Sequence, residues 1–94
     1  MDEPFEGREA KKRIREILSD GNLVVWGHAR QEMAKDALSM LDVEHVLRAG
    51  LVEEPAEFEK GEWRYRFRTP KIAVIVSFDS ETEAHVVTAW RYKR

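Results

Sequence analysis

Three arginines alternate with three aromatic residues in one short stretch of this chain. The stretch reads Trp63, Arg64, Tyr65, Arg66, Phe67, Arg68. A period of two is typical of a strand with its aromatic side on a core and its other side in water. The three guanidinium groups would then lie on one strand face, about 7 Å apart, a spacing that suits successive phosphates. A solvated face, with each arginine paired to a glutamate on a neighbouring strand, is the other interpretation of the same pattern.

His28 is the residue best suited to proton transfer. It follows Gly27 at the start of a predicted helix, where the helix dipole favours a neutral imidazole that can accept a proton. A helix cap or a core residue is the alternative role for a histidine at this position. In the predicted last strand, Trp90 is expected in the core with the other strand aromatics. Arg91 would then join the arginine face if the strands are in register.

The sequence contains no pattern of metal or cofactor binding. His28, His45 and His85 do not show metal-ligand spacing. There is no glycine-rich nucleotide loop, nucleophile elbow or paired-carboxylate motif. We therefore expect neither a metal nor a cofactor. The absence of cysteine excludes disulfides and a cysteine nucleophile, and it fits a reducing cytoplasm.

Length and charge restrict the class of protein. Ninety-four residues predict one domain, residues 1–94. A formal net charge of −2 argues against nucleic-acid binding by bulk charge, so any such activity needs a local basic patch. Lys93 and Arg94 add positive charge at the end of the sequence. The apolar runs are too short to span a bilayer, and the N-terminus lacks an apolar signal region, so we expect a cytoplasmic protein without a membrane partner.

Hydrophobic periodicity predicts helices before strands. The predicted helices are residues 8–19, about 29–36 and about 40–49, and the predicted strands are about 62–69, 71–78 and 84–92. Ser39 and Asp42 form a capping box at the start of the third helix. Residues 51–58 are a candidate fourth strand, at a sheet edge because of Pro55, and residues 23–26 are a brief strand or an extended core segment. The predicted fold class is α+β, with two or three N-terminal helices packed on a three- to four-stranded antiparallel meander.

Two segments of the chain resemble a bacterial family of short domains of unknown function. The first comprises residues 28–33, His-Ala-Arg-Gln-Glu-Met, followed by the pattern of residues 38–50; the second comprises residues 58–66 and 87–91. That family is often placed beside the RelE-like and MqsR-like toxins. The resemblance implies helices packed on an antiparallel sheet, cleavage of messenger RNA, and inhibition by a cognate antitoxin.

The resemblance also implies roles for individual residues. His28 would be the base that activates the ribose 2′-hydroxyl, with Arg64, Arg66 and Arg91 as the catalytic cations. Arg68 and Arg30 would bind substrate.

Two functions follow as hypotheses. The first is a toxin-like, metal-independent ribonuclease acting on single-stranded RNA. The alternative is a non-catalytic binding module for a protein partner or an anionic ligand. It is favoured by the low net charge and by the acidic residues Glu32 and Asp36 near His28, where many family members carry arginine. The expected partners are RNA and an antitoxin protein, and the oligomeric state stays open.

Overall fold

A computed structural model describes residues 2–92 of the chain. Met1 and the two basic residues predicted to add charge at the end, Lys93 and Arg94, lie outside the described residues. The elements in chain order are α1 (Gly7–Asp20), β1 (Asn22–Val25), α2 (Gly27–Lys35), α3 (Met40–Ala49), β2 (Leu51–Glu59), β3 (Glu62–Arg68), β4 (Ile72–Phe78) and β5 (Glu83–Arg91). Among these residues, no helix combines the length and the apolar character needed to cross a bilayer.

The five strands form one mixed sheet in the order β1-β5-β4-β3-β2. Strands β2 to β5 are an antiparallel meander, and β1 pairs with β5 in parallel. The α+β class is confirmed. The predicted sheet had three to four strands, all antiparallel, whereas the observed sheet has five strands and one parallel pair. The difference is β1, whose four residues are too few to show a strand period in the sequence. The candidate strand with Pro55 is present as the edge strand β2.

All three helices bury their apolar residues in one cluster on one face of the sheet. Their fully or nearly fully buried residues are Ala10, Ile14 and Ile17 of α1, Ala29 and Met33 of α2, and Val43, Val46 and Leu47 of α3. In each helix these residues recur three or four positions apart, which places them on one helical stripe. The same cluster includes Tyr65, Phe67, Val74 and Val76 from the sheet. We call this side of the sheet the helix face and the opposite side the outer face.

The predicted capping box begins α3. The side-chain oxygen of Ser39 accepts a hydrogen bond from the Asp42 backbone N–H at 3.2 Å, and Asp42 Oδ2 accepts one from the Ser39 backbone N–H at 2.8 Å. That second hydrogen bond holds the pKa of the Asp42 carboxyl below its usual range. At the other end of α3, a Cβ on Gly50 would lie 2.5 Å from the carbonyl oxygen of Val46, in α3 itself, and 2.7 Å from that of Arg68. Glycine is therefore needed at this point because the backbones of α3 and β3 both pass so close.

A β-bulge at Val87 shifts the pairing of β5 with β4. Thr88 lies opposite Ile75, but Val86 lies opposite Val76, so Val87 is an extra residue in β5. An extra residue inverts the side-chain alternation of the strand beyond it. Ala84 and Val86 are on the helix face before the bulge, and after it the helix face takes the odd-numbered residues, Ala89 and Arg91.

Tyr65 ties the N-terminal segment to the sheet. The phenol oxygen accepts a hydrogen bond from the Phe5 backbone N–H at 3.0 Å and donates one to Glu3 Oε2 at 2.8 Å. The rings of Phe5, Tyr65 and Phe78 pack together with centroids 5.3–5.9 Å apart. Burial raises the pKa of the Tyr65 phenol far above its usual range, and the hydrogen bond to Glu3 raises it further.

We predict that Tyr65→Phe destabilises the fold by about 1–2 kcal/mol, because it removes the acceptor of a buried backbone N–H. Urea unfolding followed by tryptophan fluorescence measures the change. Because the folded phenol has a raised pKa, its contribution to stability is present below pH about 10 and decreases as the pH rises further. The wild type should therefore lose more stability than Tyr65→Phe in alkali.

Tyr92→Phe is the matched control, since Tyr92 is held by packing of its ring on Trp90 and by its backbone N–H, which donates to the Lys71 carbonyl oxygen. Equal stability of wild type and Tyr65→Phe would contradict a role for the phenol in anchoring the N-terminal segment.

Candidate functional site

The outer face carries the arginines and is not covered by any helix among residues 2–92, since the buried residues of all three helices belong to the helix face. Strand register assigns its side chains. They include Leu51, Glu53, Glu57 and Glu59 of β2, Glu62, Arg64, Arg66 and Arg68 of β3, Ala73, Ile75 and Ser77 of β4, and Glu83, His85, Thr88 and Trp90 of β5. Ala73 and Ser77 are nevertheless buried. Long side chains from the neighbouring strands therefore lie over the small residues of β4.

Arg66 and Trp90 meet above β4. They come from β3 and β5, with β4 between them, and the guanidinium carbon of Arg66 lies 5.1 Å from the centre of the Trp90 ring. This distance is within the range of a cation–π interaction. The interaction keeps the indole of Trp90 beside a positive charge.

Arg64 is neutralised by two acidic side chains. Its Nη1 lies 2.9 Å from Glu59 Oε2, and its Nε lies 3.1 Å from Glu62 Oε2. The Arg64 side chain is only 16% exposed. These pairs close the β2–β3 hairpin, where Lys60 and Gly61 both have positive φ, as in a type I′ turn. Arg64 therefore serves the hairpin and is a poor candidate for a ligand contact.

Arg66 and Arg68 share a single carboxylate. The Nε atoms of these two residues lie 3.5 and 3.4 Å from the two oxygens of Glu53, on β2. Both distances are longer than an ordinary charge-assisted hydrogen bond. The side chains of Arg66 and Arg68 are 36% and 38% exposed. Within residues 2–92, Glu53 is the carboxylate that forms ion pairs with these two guanidinium groups. We call this end of the outer face, Arg66, Arg68 and Trp90, the basic end.

His28 and Arg30 lie away from the arginine face. Both are exposed residues of α2, which packs Ala29 and Met33 on the helix face. The helix begins just beyond β1, and β1 is three strands from β3, about 14 Å at the usual strand spacing. Glu32, one turn after His28, forms an ion pair with Lys35 at 3.0 Å.

Arg91 is also separated from the other arginines, contrary to the expected register. It pairs with Ile72 on the helix face. Its backbone N–H donates to Asp36 Oδ2 at 2.7 Å, and its guanidinium donates to the carbonyl oxygens of Asp36 at 3.2 Å and Ala37 at 3.5 Å. A cation at the carbonyl end of a helix is stabilising. Arg91 therefore connects β5 to the end of α2.

The structure thus groups Arg64, Arg66 and Arg68 and leaves His28, Arg30 and Arg91 elsewhere. Sequence reasoning missed Trp90 of the basic end and Glu53, the carboxylate that Arg66 and Arg68 share. Trp90 was expected in the core, and its even-numbered position changes face because of the bulge at Val87. The pairing of Glu53 with the arginines could have been predicted from the sequence. Residues 51–58 were a candidate strand next to β3, and they contain glutamates that could pair with its arginines.

The fold and its outer face define a small α+β domain with a mixed sheet that carries helices on one side. The family described as Domain of unknown function (DUF4258) matches residues 26–91, and the chain belongs to this family. The expected membership in a family of domains of unknown function is confirmed. The matched segment runs from the start of α2 through β5 and is preceded by α1 and β1. No curated protein and no solved structure matches the chain.

We predict that Arg91→Ala destabilises the fold by about 1 kcal/mol, because two hydrogen bonds to carbonyl oxygens at the end of α2 are lost. Urea unfolding measures the change, with Arg68→Ala as the control from the outer face. A destabilisation by Arg68→Ala equal to that by Arg91→Ala would contradict the structural role assigned to Arg91.

Proposed function

We propose that this domain is a non-catalytic binding module that holds single-stranded RNA on the basic end of its outer face. The observation that carries the proposal is the grouping of Arg66 and Arg68 around one carboxylate, beside the half-buried indole of Trp90. Proteins that bind single strands combine cations along the backbone with aromatic rings on which bases stack. An open antiparallel sheet is a common platform for this chemistry.

The spacing of the two arginines suits a polyanion. Alternate residues of a strand lie about 7 Å apart, so Arg66 and Arg68 can each donate to a different phosphate of an extended strand. Trp90 is half-buried, with the Arg66 guanidinium over its ring, so a base stacks on the part of the indole that Arg66 leaves open. Stacking of this kind contributes about 1–3 kcal/mol per base. The net charge of −2 opposes long-range attraction to RNA, so the binding is local and of modest affinity.

Cleavage of RNA is less well supported by this geometry. A ribonuclease needs its base within about 3 Å of the 2′-hydroxyl, with cations on the same phosphate. His28 is on α2, and Arg91 is held by Asp36 and Ala37 on the helix face. The expected catalytic set is therefore dispersed over two sides of the sheet. The toxin-like ribonuclease and its antitoxin partner stay predictions of the resemblance.

Binding of a fluorescein-labelled 12-nucleotide oligouridylate, followed by anisotropy at low salt, tests the proposal. We expect Arg66→Ala with Arg68→Ala to weaken binding by tenfold or more, and Trp90→Leu by about tenfold. Two phosphate contacts on a single strand predict a slope of about −1.4 for log K against log salt concentration. Glu53→Gln should strengthen binding severalfold, since it removes the carboxylate that competes with phosphate.

Arg48→Ala is the control, because Arg48 is an exposed arginine of α3, a helix that packs on the helix face. Equal binding by the double arginine variant and by Arg48→Ala would overturn the proposed site. The same RNA is then analysed on a gel in the presence of chelator. Intact RNA supports a binding module, whereas cleavage that disappears in His28→Ala would establish the ribonuclease instead.

A further inference from the structure

The other end of the outer face carries three side chains with metal-ligating atoms. Asp79 follows β4, and Glu83 and His85 lie at the start of β5, across the turn from it. One ligand atom from each of the three lies within 4.8 Å of the other two. The nearest pair, His85 Nε2 and Glu83 Oε2, is 2.8 Å apart. The group is about 13 Å from the basic end by strand rise, since four residues of β4 separate Ser77 from Ala73.

The backbone holds these three residues in place. The N–H of Asp79 donates to the Glu83 carbonyl oxygen at 2.9 Å, which closes the β4–β5 turn. The N–H of Asn22 donates to the Thr82 carbonyl oxygen at 2.8 Å, which ties β1 to the same turn. Strand register places His85 on the outer face, opposite Ser77. Glu83, two residues earlier in β5, shares that face, and the carboxylate of Asp79 lies within 4.8 Å of the ligand atoms of both.

Neighbouring side chains orient the ligand atoms. Asn22 Nδ2 lies 3.5 Å from Glu83 Oε1, so Oε2 is the oxygen directed to His85. The Trp26 ring lies 5.6 Å from the His85 ring and limits its rotation. Such outer contacts are typical of groups that orient metal ligands.

We propose that Asp79, Glu83 and His85 bind a divalent first-row transition metal ion such as Zn²⁺. One imidazole nitrogen and two carboxylate oxygens are ligands that Zn²⁺ accepts, and three protein ligands leave a position for water. Ligands of one ion at 2.0–2.2 Å lie about 3–4 Å apart, a range already close to the observed separations. The imidazole favours Zn²⁺ over Mg²⁺ or Ca²⁺, which select oxygen. This site is independent of the proposed RNA binding.

Coordination replaces the hydrogen bond between His85 and Glu83. The His85 Nε2 lone pair and the Glu83 Oε2 oxygen both turn to the ion, and a proton on Nε2 moves to Nδ1 or to solvent. Asp79 is exposed, so its carboxylate can rotate the short remaining distance. The side chains of Glu83 and His85 are only partly exposed, which leaves the ion in contact with solvent on one side.

Isothermal titration of the full chain with ZnCl₂, after removal of metals by chelator and in a non-coordinating buffer at pH 7.5, tests the site. We expect one ion per chain. His85→Ala and Asp79→Ala should each weaken zinc binding by at least about a hundredfold, and Asn22→Ala by about tenfold, as for residues that orient a ligand. MgCl₂ should bind much more weakly.

Two matched controls keep the test specific. Glu81→Gln changes an exposed acid of the same turn, and His45→Ala removes an exposed histidine of α3; both should bind zinc as the wild type does. In a ¹H–¹⁵N correlation spectrum, zinc should shift the amides of residues 79–85 and 22–26. Zinc binding that is unchanged in His85→Ala, or is lost in His28→Ala instead, would overturn the proposed site. The absence of zinc binding by the wild type would do the same.

Discussion

The register of β5 is the constraint on which the rest of this structure depends. β5 pairs with β1 in parallel and with β4 in antiparallel fashion, and α2 packs against it. One extra residue, Val87, lets the strand begin with Ala84 and Val86 on the helix face and continue with Ala89 and Arg91 on the same face. A one-residue shift transfers every following side chain to the other side of a sheet. The bulge thereby decides what each face presents.

Two consequences follow from that inversion. Arg91 reaches the carbonyl end of α2, where its guanidinium bonds Asp36 and Ala37 and joins the sheet to the helical layer. Trp90 is placed beside Arg66 instead of in the core. Without the bulge, Arg91 would lie with the other arginines, and Trp90 would not lie beside Arg66. The bulge at Val87 therefore brings Trp90 to the basic end and places Arg91 on the opposite face of the sheet.

The outer face is chemically uneven because its charges are unevenly paired. At the hairpin, Arg64 meets Glu59 and Glu62, and two short ion pairs leave its charge compensated. Among the described residues 2–92, Arg66 and Arg68 share the single carboxylate of Glu53, at longer distances. Exposed ion pairs of this kind are weak, so a phosphate can compete for the guanidinium groups. The interpretation in which each arginine pairs with a glutamate therefore applies to Arg64. The interpretation in which the arginines bind phosphates is the one we propose for Arg66 and Arg68.

The sequence by itself determined the features that depend on local pattern. Alternation identified β3 and its buried side, helical spacing identified the stripes of α1 and α3, and the capping box located the start of α3. Pro55 correctly indicated an edge strand, because proline cannot donate to a ladder.

Tertiary structure alone decided which groups come together. The parallel pairing of β1 joins residues 22–25 to residues 83–86, a contact without a local signal. A bulge shifts the alternation of a strand by one residue, and the sequence of β5 gives no sign of it. Trp90 was therefore expected in the core and Arg91 on the arginine face, whereas Trp90 lies on the outer face and Arg91 on the helix face. The spacing of Asp79, Glu83 and His85 in the sequence matches no metal-binding motif. The turn between β4 and β5 brings their ligand atoms within 4.8 Å of one another. Faces and clusters depend on pairing register, and register is set by the packing of the whole chain.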